Sequence, residues 1–253
     1  MSDALTRIYQ HPPLSDMTPP GVGTPDTPTV PGEALLDHDE LETLLRQFRT
    51  GFGADADQRA VVSLWSRHYF ARLAIPYLVA HLLLERELPV ALDAIRFEID
   101  EAGRTQRFWF PHAGAPIESG DIESRFATLL YDHCEPLIAS LSTCSGVSTK
   151  VFWNNFGNYF DYFANASSQH PCAPADIGAP AFELMAHRRF PGGRRNPLYH
   201  PVRHATVGNE PRRVRRLCCL QYRLEGQTYC GTCPLITENR PAKAGHRPPE
   251  NSR

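Results

Sequence analysis

The chain predicts a mostly α-helical α+β fold, a helical domain with a small β-hairpin followed by a cysteine-bearing C-terminal module. Three observations point there. Apolar residues recur at helical spacing in several stretches between residues 33 and 189. One segment, Ile95 to Phe110, alternates apolar and polar residues instead. Four of the seven cysteines fall within residues 218–233.

Residues 1–33 hold seven prolines among Thr, Asp and Gly without periodicity, which predicts a disordered arm. Residues 34–190 read as one mostly helical domain. Leu35, Leu36, Leu41, Leu44, Leu45 and Phe48 share a face between Glu33 and Phe48. Asp57 is placed to cap a long helix carrying Val61, Val62, Leu64, Trp65, Tyr69, Phe70 and Leu73, since a carboxylate accepts from the free amides of a first turn. Pro76 then kinks this helix or opens a second, Tyr77–Glu87. Ile95, Phe97 and Ile99 alternate with Arg96, Glu98 and Asp100, and a turn at Glu101–Arg104 leads into Gln106–Phe110, a β-hairpin. Helices are expected at Ile122–Ser142, with Leu130 and Tyr131 on its pattern, at Ser148–Ala166, and at Pro180–Arg189. Residues 191–236 form a basic segment, loop-like to about residue 212, and the cysteine module. Residues 237–253 are polar and predict a disordered tail.

Net charge is −2 overall but unevenly spread: residues 1–186 carry −12 and residues 187–253 carry +10. Such asymmetry suits a charged partner or substrate at one end. No apolar stretch follows basic residues at the N-terminus, as a secretory signal requires. The longest apolar run, Leu73–Leu84, is broken by Pro76 and His81 and is too short for a transmembrane segment. A cytoplasmic protein is therefore expected, and in a reducing compartment clustered cysteines point to metal or redox chemistry.

The cluster reads Cys218-Cys219, ten residues, then Cys230-Gly231-Thr232-Cys233. Leu220, Tyr222 and Leu224 alternate with Gln221 and Arg223, and Glu225-Gly226-Gln227 supplies a turn. A hairpin folding Cys230 back beside Cys218 and Cys219 is expected. Structural zinc takes four tetrahedral ligands, usually from two knuckles of separated cysteines. The Cys230–Cys233 half fits a knuckle. The adjacent pair does not, because neighbours on a strand face opposite ways. Four thiolates spread over two metal centres meet the needs of a [2Fe–2S] cluster. Zinc stays open, as does a redox dithiol at Cys230 and Cys233, which lacks a βαβ context. Cys134, Cys144 and Cys172 are scattered and read as ordinary thiols.

The segment Arg215–Leu235, RRLCCLQYRLEGQTYCGTCPL, resembles the C-terminal hallmark of the FhuF-like ferric siderophore reductases. The stretches 63–78 (SLWSRHYFARLAIPYL), 151–155 (VFWNN) and Asn196-Pro197-Leu198 are similar too, so the resemblance covers most of residues 57–236. It implies a [2Fe–2S] cluster held by Cys218, Cys219, Cys230 and Cys233. It also implies one-electron reduction of Fe(III) in a siderophore, typically a hydroxamate, to release Fe(II). The electron donor would be a ferredoxin or a flavin/NAD(P)H reductase, and the protein would be cytoplasmic, with room for a peripheral place at the inner membrane. An iron–sulfur electron carrier and a zinc-stabilised binding protein are the alternatives.

Nine arginines and one acid lie between His187 and Arg216. Arg194, Arg195, Arg212, Arg213, Arg215 and Arg216 are the candidates for contact with an anionic siderophore or an acidic partner. The competing reading pairs them with the acidic N-terminal portion. Arg215 and Arg216 would raise the cluster potential by stabilising its more negative reduced form. No nucleic-acid-binding motif accompanies the charge. His187, His200 and His204 lack zinc-like spacing to the cysteines. Trp65, Trp109, Trp153, Tyr159 and Tyr162 could line a cavity, but their periodicity favours core packing.

Overall fold

The computed structural model describes residues 2–207 and 210–239. In chain order its helices are α1 (Ser2–Ile8), α2 (His38–Arg49), α3 (Gln58–Leu78), α4 (Ile122–Arg125), α5 (Glu135–Ser145), α6 (Thr149–Ser167) and α7 (Ala179–Ala186). Its strands are β1 (Gly21–Val22), β2 (Val30–Pro31), β3 (Arg86–Glu87), β4 (Arg96–Ile99), β5 (Thr105–Phe110), β6 (Ala115–Pro116), β7 (Val202–Val207) and β8 (Glu210–Arg215). Asp37 and Asp57 cap α2 and α3 through their carboxylates, and the Ser148 hydroxyl caps α6. No helix among the described residues is long and apolar enough to cross a membrane.

Helix α3 is the central element. Ala60–Ser66 and Leu73–Leu78 are buried along with Tyr69 and Phe70, so it is covered nearly all round, and its main packing partner is α6. Pro76 neither kinks it off nor opens a new helix. Helix α3 runs through to Leu78, and the chain then widens into a π-helical turn, Val79–Leu83. The expected helix to Glu87 ends there, and Arg86–Glu87 pairs with β6. The predicted single helix 122–142 is likewise divided into α4, a π-helical turn at Thr128–Cys134, and α5. Pro136 has no amide to return to the Asp132 carbonyl, which accepts from the Leu92 amide instead at 3.1 Å.

The predicted β4–β5 hairpin forms, with Asp100 accepting from the Ala102 and Arg104 amides across its turn. Gly103 stands in that turn at φ +72°, where a Cβ would come within 2.9 Å of the Phe48 amide, and its carbonyl accepts from Trp65 Nε1 at 3.1 Å.

Two expectations need correction. The proline-rich N-terminal segment is not a loose arm: β1 joins β5 in parallel and β2 joins β4, completing a four-stranded sheet in the order β1-β5-β4-β2. Leu5, Ile8, Tyr9 and Leu14 are buried. Sparse apolar residues between prolines carry no periodicity, yet they still bury area, and Pro31 suits an edge strand. The basic segment is not a loop to residue 212, because β7 and β8 form an antiparallel hairpin. Its pattern of Arg, His and Thr gave no apolar alternation; Val214 faces inward, and backbone pairing does the rest. Of the expected disordered tail, residues 240–253 lie outside the described residues, and Thr237–Asn239 form a 3₁₀ turn.

Burial also sets a pH dependence. His81 and His133 are fully buried, and their pKa values are held down to about 3 and about 4, first by burial, with Arg125 adding to the effect on His81. Both therefore lie below the unfolded value of about 6.5 and are neutral in the fold. The stability they contribute is present above pH ~6.5 and is lost as pH falls towards 4. Denaturant midpoints should drop across that window, with His133 alone accounting for on the order of 3 kcal/mol. The His133→Gln variant should show a flatter profile, and an unchanged slope would remove His133 from this role.

Candidate metal centre

The backbone brings the thiols together without the expected hairpin. Leu220 adopts the left-handed conformation at φ +62°, and Gln221–Arg223 form a 3₁₀ turn where alternation predicts a strand. That kink resolves the objection to adjacent cysteines, since an extended strand would send their side chains apart. After it, the Leu220 amide donates to Cys218 Sγ at 3.3 Å, and the Gln221 amide hydrogen-bonds Cys219. Successive amides in a left-handed-then-right-handed turn form a concavity for an anion, a device recurrent at iron–sulfur sites. The second half closes similarly. Cys233 N–H donates to the Cys230 carbonyl at 2.9 Å, and the Leu235 amide donates to Cys233 Sγ at 3.4 Å. An Arg215 N–H to Thr232 carbonyl bond, 2.9 Å, ties this turn to the end of β8.

The thiols meet as two pairs. Cys219 and Cys230 share a hydrogen bond at Sγ–Sγ 3.8 Å, and Cys218 faces Cys233. Metal–thiolate bonds of about 2.3 Å at tetrahedral angles set a sulfur–sulfur edge of about 3.8 Å, so the first pair has the spacing of two ligands on one metal. A binuclear cluster takes four thiolates as two pairs, one pair on each iron.

Two guanidiniums set the electrostatics. Arg67, on α3, donates from Nη1 to Cys219 Sγ at 3.4 Å and to the Gln221 side chain, and from Nη2 to the Tyr159 hydroxyl at 3.2 Å. Arg215 is 0 % exposed. Its Nη2 donates to Asn155 Oδ1, while its Nε and Nη1 find no partner. Asn155 is fixed in turn by Ser63 and Ser66 on α3, through bonds of 2.8–3.1 Å from its Nδ2. The Cys219 thiol is held down to about 5, first by the hydrogen bond with Cys230 and then, against burial, by Arg215 and Arg67. Cys230 holds the shared proton and is pushed up, and burial lifts Cys218 to about 11. A buried cation with two orphaned donors and no carboxylate partner among the described residues fits an anionic group bound at the thiols.

The arginine candidates divide. Arg194 pairs with Glu135 at 2.5 Å and lies over the Tyr131 ring. Arg213 pairs with Asp161 at 2.5 Å. Both thus meet the acidic helical domain. Arg215 faces the thiols, Arg195 and Arg216 line a groove at Leu217, and Arg212 is exposed on β8. Of the aromatics, Trp65 is core, Tyr159 touches Arg67, and Trp153 lines the groove. Sequence reasoning missed Arg67, Asn155 and Gln221. The available signal was polar residues set inside apolar helices: Ser63, Ser66 and Arg67 in α3, and Asn154 and Asn155 in α6.

A family model described as "Ferric iron reductase FhuF-like transporter" matches residues 63–211, and the FhuF 2Fe-2S C-terminal domain matches residues 215–235. The ferric siderophore reductase of Escherichia coli strain K12 is 26 % identical over 188 residues, covering 71 % of this chain and 67 % of its own. The structure of aerobactin synthetase IucC from a hypervirulent Klebsiella pneumoniae pathotype aligns with TM-score 0.50 at 12 % identity, a likeness of fold alone. That alignment covers 70 % of this chain but only 37 % of the synthetase, so the chain spans little more than a third of its length.

Proposed function

The chain belongs to the FhuF-like ferric iron reductases, iron-reducing oxidoreductases with a [2Fe–2S] C-terminal domain, and from that premise we propose that it reduces the iron of an imported ferric siderophore, a hydroxamate, in the cytoplasm. Cys218, Cys219, Cys230 and Cys233 are the ligands in this reading. The observation that carries it is Arg215: a fully buried guanidinium beside four paired thiols, with donors left for an anion.

When bound, the cluster supplies one electron at a time to ferric iron. Hydroxamate oxygens are hard donors that hold Fe(III) far more tightly than Fe(II), so a single electron loosens the complex. The protein's own residues set how readily that electron leaves. Arg67 and Arg215 place positive charge against the Cys219–Cys230 pair and favour the more reduced, more negative state. Amide donors from Leu220, Gln221 and Leu235 act in the same direction. Tyr159 and Asn155 hold the two guanidiniums in place from α6. The donor of electrons is a ferredoxin or a flavin/NAD(P)H reductase.

Stopped-flow mixing of anaerobically reduced protein with a ferric trihydroxamate tests the reading. Reoxidation should saturate with substrate, and the Fe(II) trapped by a chromogenic chelator should match the electrons lost. Second-order reoxidation without saturation would mark an electron carrier instead. A colourless protein holding zinc after anaerobic purification would overturn the reductase reading.

A further inference from the structure

A groove of about 370 Å³ opens at Leu217, the residue before Cys218, lined by Lys150 and Trp153 of α6, Arg195, Tyr199 and His200 of the loop between α7 and β7, and Arg216 after β8. No carboxylate lines it. Arg194 and Arg213 are paired with acids, but Lys150, Arg195 and Arg216 have no carboxylate partner among the described residues. Arg216 lies 5.8 Å over the Tyr199 ring.

The walls are built rather than fortuitous. The buried Asn154 donates from Nδ2 to the Pro201 carbonyl at 2.5 Å and accepts from the Leu217 amide at 3.0 Å, pinning loop and strand end to α6. Asn196 is buried and donates to the Leu184 and His187 carbonyls. His200, at φ +42°, holds a conformation that non-glycine residues seldom adopt. Leu217 lines the groove half-exposed, and the next residue is Cys218. The groove's wall thus continues along the chain into the first of the four cysteines.

We infer that this groove binds the ferric chelate, and that it selects chelates of net negative charge, hydroxamates that also bear free carboxylates. The inference rests on the reductase reading for the identity of the iron complex. Three cations without counter-ions attract an anion and repel a cationic carrier of similar size. Trp153 and Tyr199 offer flat apolar faces to its arms, and the volume suits a small molecule rather than a protein segment.

Gallium(III) complexes, which accept no electron from the cluster, separate binding from turnover. Calorimetry on the holoprotein would compare the gallium complex of a citrate-based dihydroxamate with that of a linear trihydroxamate carrying a free ammonium. The anionic complex should bind more tightly. The Arg195→Gln/Arg216→Gln double variant should weaken it by about tenfold or more, the scale of losing hydrogen bonds to charged groups, and should leave the cationic complex bound at least as tightly as before. Lys150→Glu, remote in sequence from the cysteines, should act in the same direction with the visible spectrum of the cluster intact. Arg46→Glu, an equal charge change on α2, should do nothing. Equal affinity for the two complexes in the parent protein, or equal weakening of both in the variants, would overturn the inference. Charge-selective binding with no reduction of the ferric counterparts would sink the reductase reading alone.

Discussion

Replacing Cys219 with serine is expected to cut cluster iron by more than tenfold, since loss of a mere supporting residue already costs a metal site roughly 10–100-fold in affinity. Cys219 carries the most converging support of the four. It pairs with Cys230 at 3.8 Å, receives the Arg67 guanidinium at 3.4 Å and the Gln221 amide, and lies in the field of Arg215. A serine hydroxyl is a harder, far less acidic ligand, and its shorter bond withdraws the donor atom from the pair. Cys230→Ser should behave alike, whereas Cys172→Ser, exposed and away from the site, should keep full iron content. Iron and acid-labile sulfide per chain, with the visible spectrum, read the outcome. A Cys219→Ser protein with full cluster content and reductase activity would remove Cys219 from the ligand set.

The second large effect is expected at Arg215. Its substitution by Met should destabilise the loaded protein more than the cluster-stripped protein, by up to about 3–5 kcal/mol, because a cluster with four thiolates sets more buried negative charge against the guanidinium than the single Cys219 thiolate of the stripped form. The difference between forms is the informative quantity. Loss of the bond to Asn155 Oδ1 affects both and cancels, whereas the two donors without partners weigh on the stripped form alone. The potential of the loaded variant should also fall by about 60 mV or more, equivalent to ~1.4 kcal/mol for a one-electron couple. Denaturant titration of loaded and chelator-stripped samples, with potentiometry, measures both. Equal destabilisation of the two forms would reduce Arg215 to a packing and hydrogen-bonding role.

Helix α6 shows how local patterning reads well. Ser148 stands before an amphipathic run, and the helix begins where an oxygen side chain can accept from a first-turn amide. The same logic placed α3 at Asp57 and the β4–β5 hairpin at alternating Ile95, Phe97 and Ile99. It failed where structure draws on distant partners. Strands β1 and β2 contain two residues each and exist because β5 and β4 offer them edges. The wide turn before α5 depends on a proline without an amide and on a carbonyl taken by Leu92. The β7–β8 hairpin contains Pro211 and several arginines, a composition that favours no strand on propensity.

The metal centre divides in the same way. Four cysteines in sixteen residues, and the adjacency of Cys218 and Cys219, are properties of the chain alone, and they marked the site and its chemistry. Spacing along a chain specifies which ligands are available, because so short a segment keeps them within reach of one another, while the kink at Leu220 decides that Cys218 and Cys219 turn to the same side. Only the tertiary structure separated the arginines, giving Arg194 and Arg213 to carboxylates, Arg215 to the thiols, and Arg195 and Arg216 to a groove. It also recruited Arg67, 152 positions from Cys219, into the site. A guanidinium's role is set by the nearest anion in space, and in low dielectric that choice is made by packing that no local pattern records.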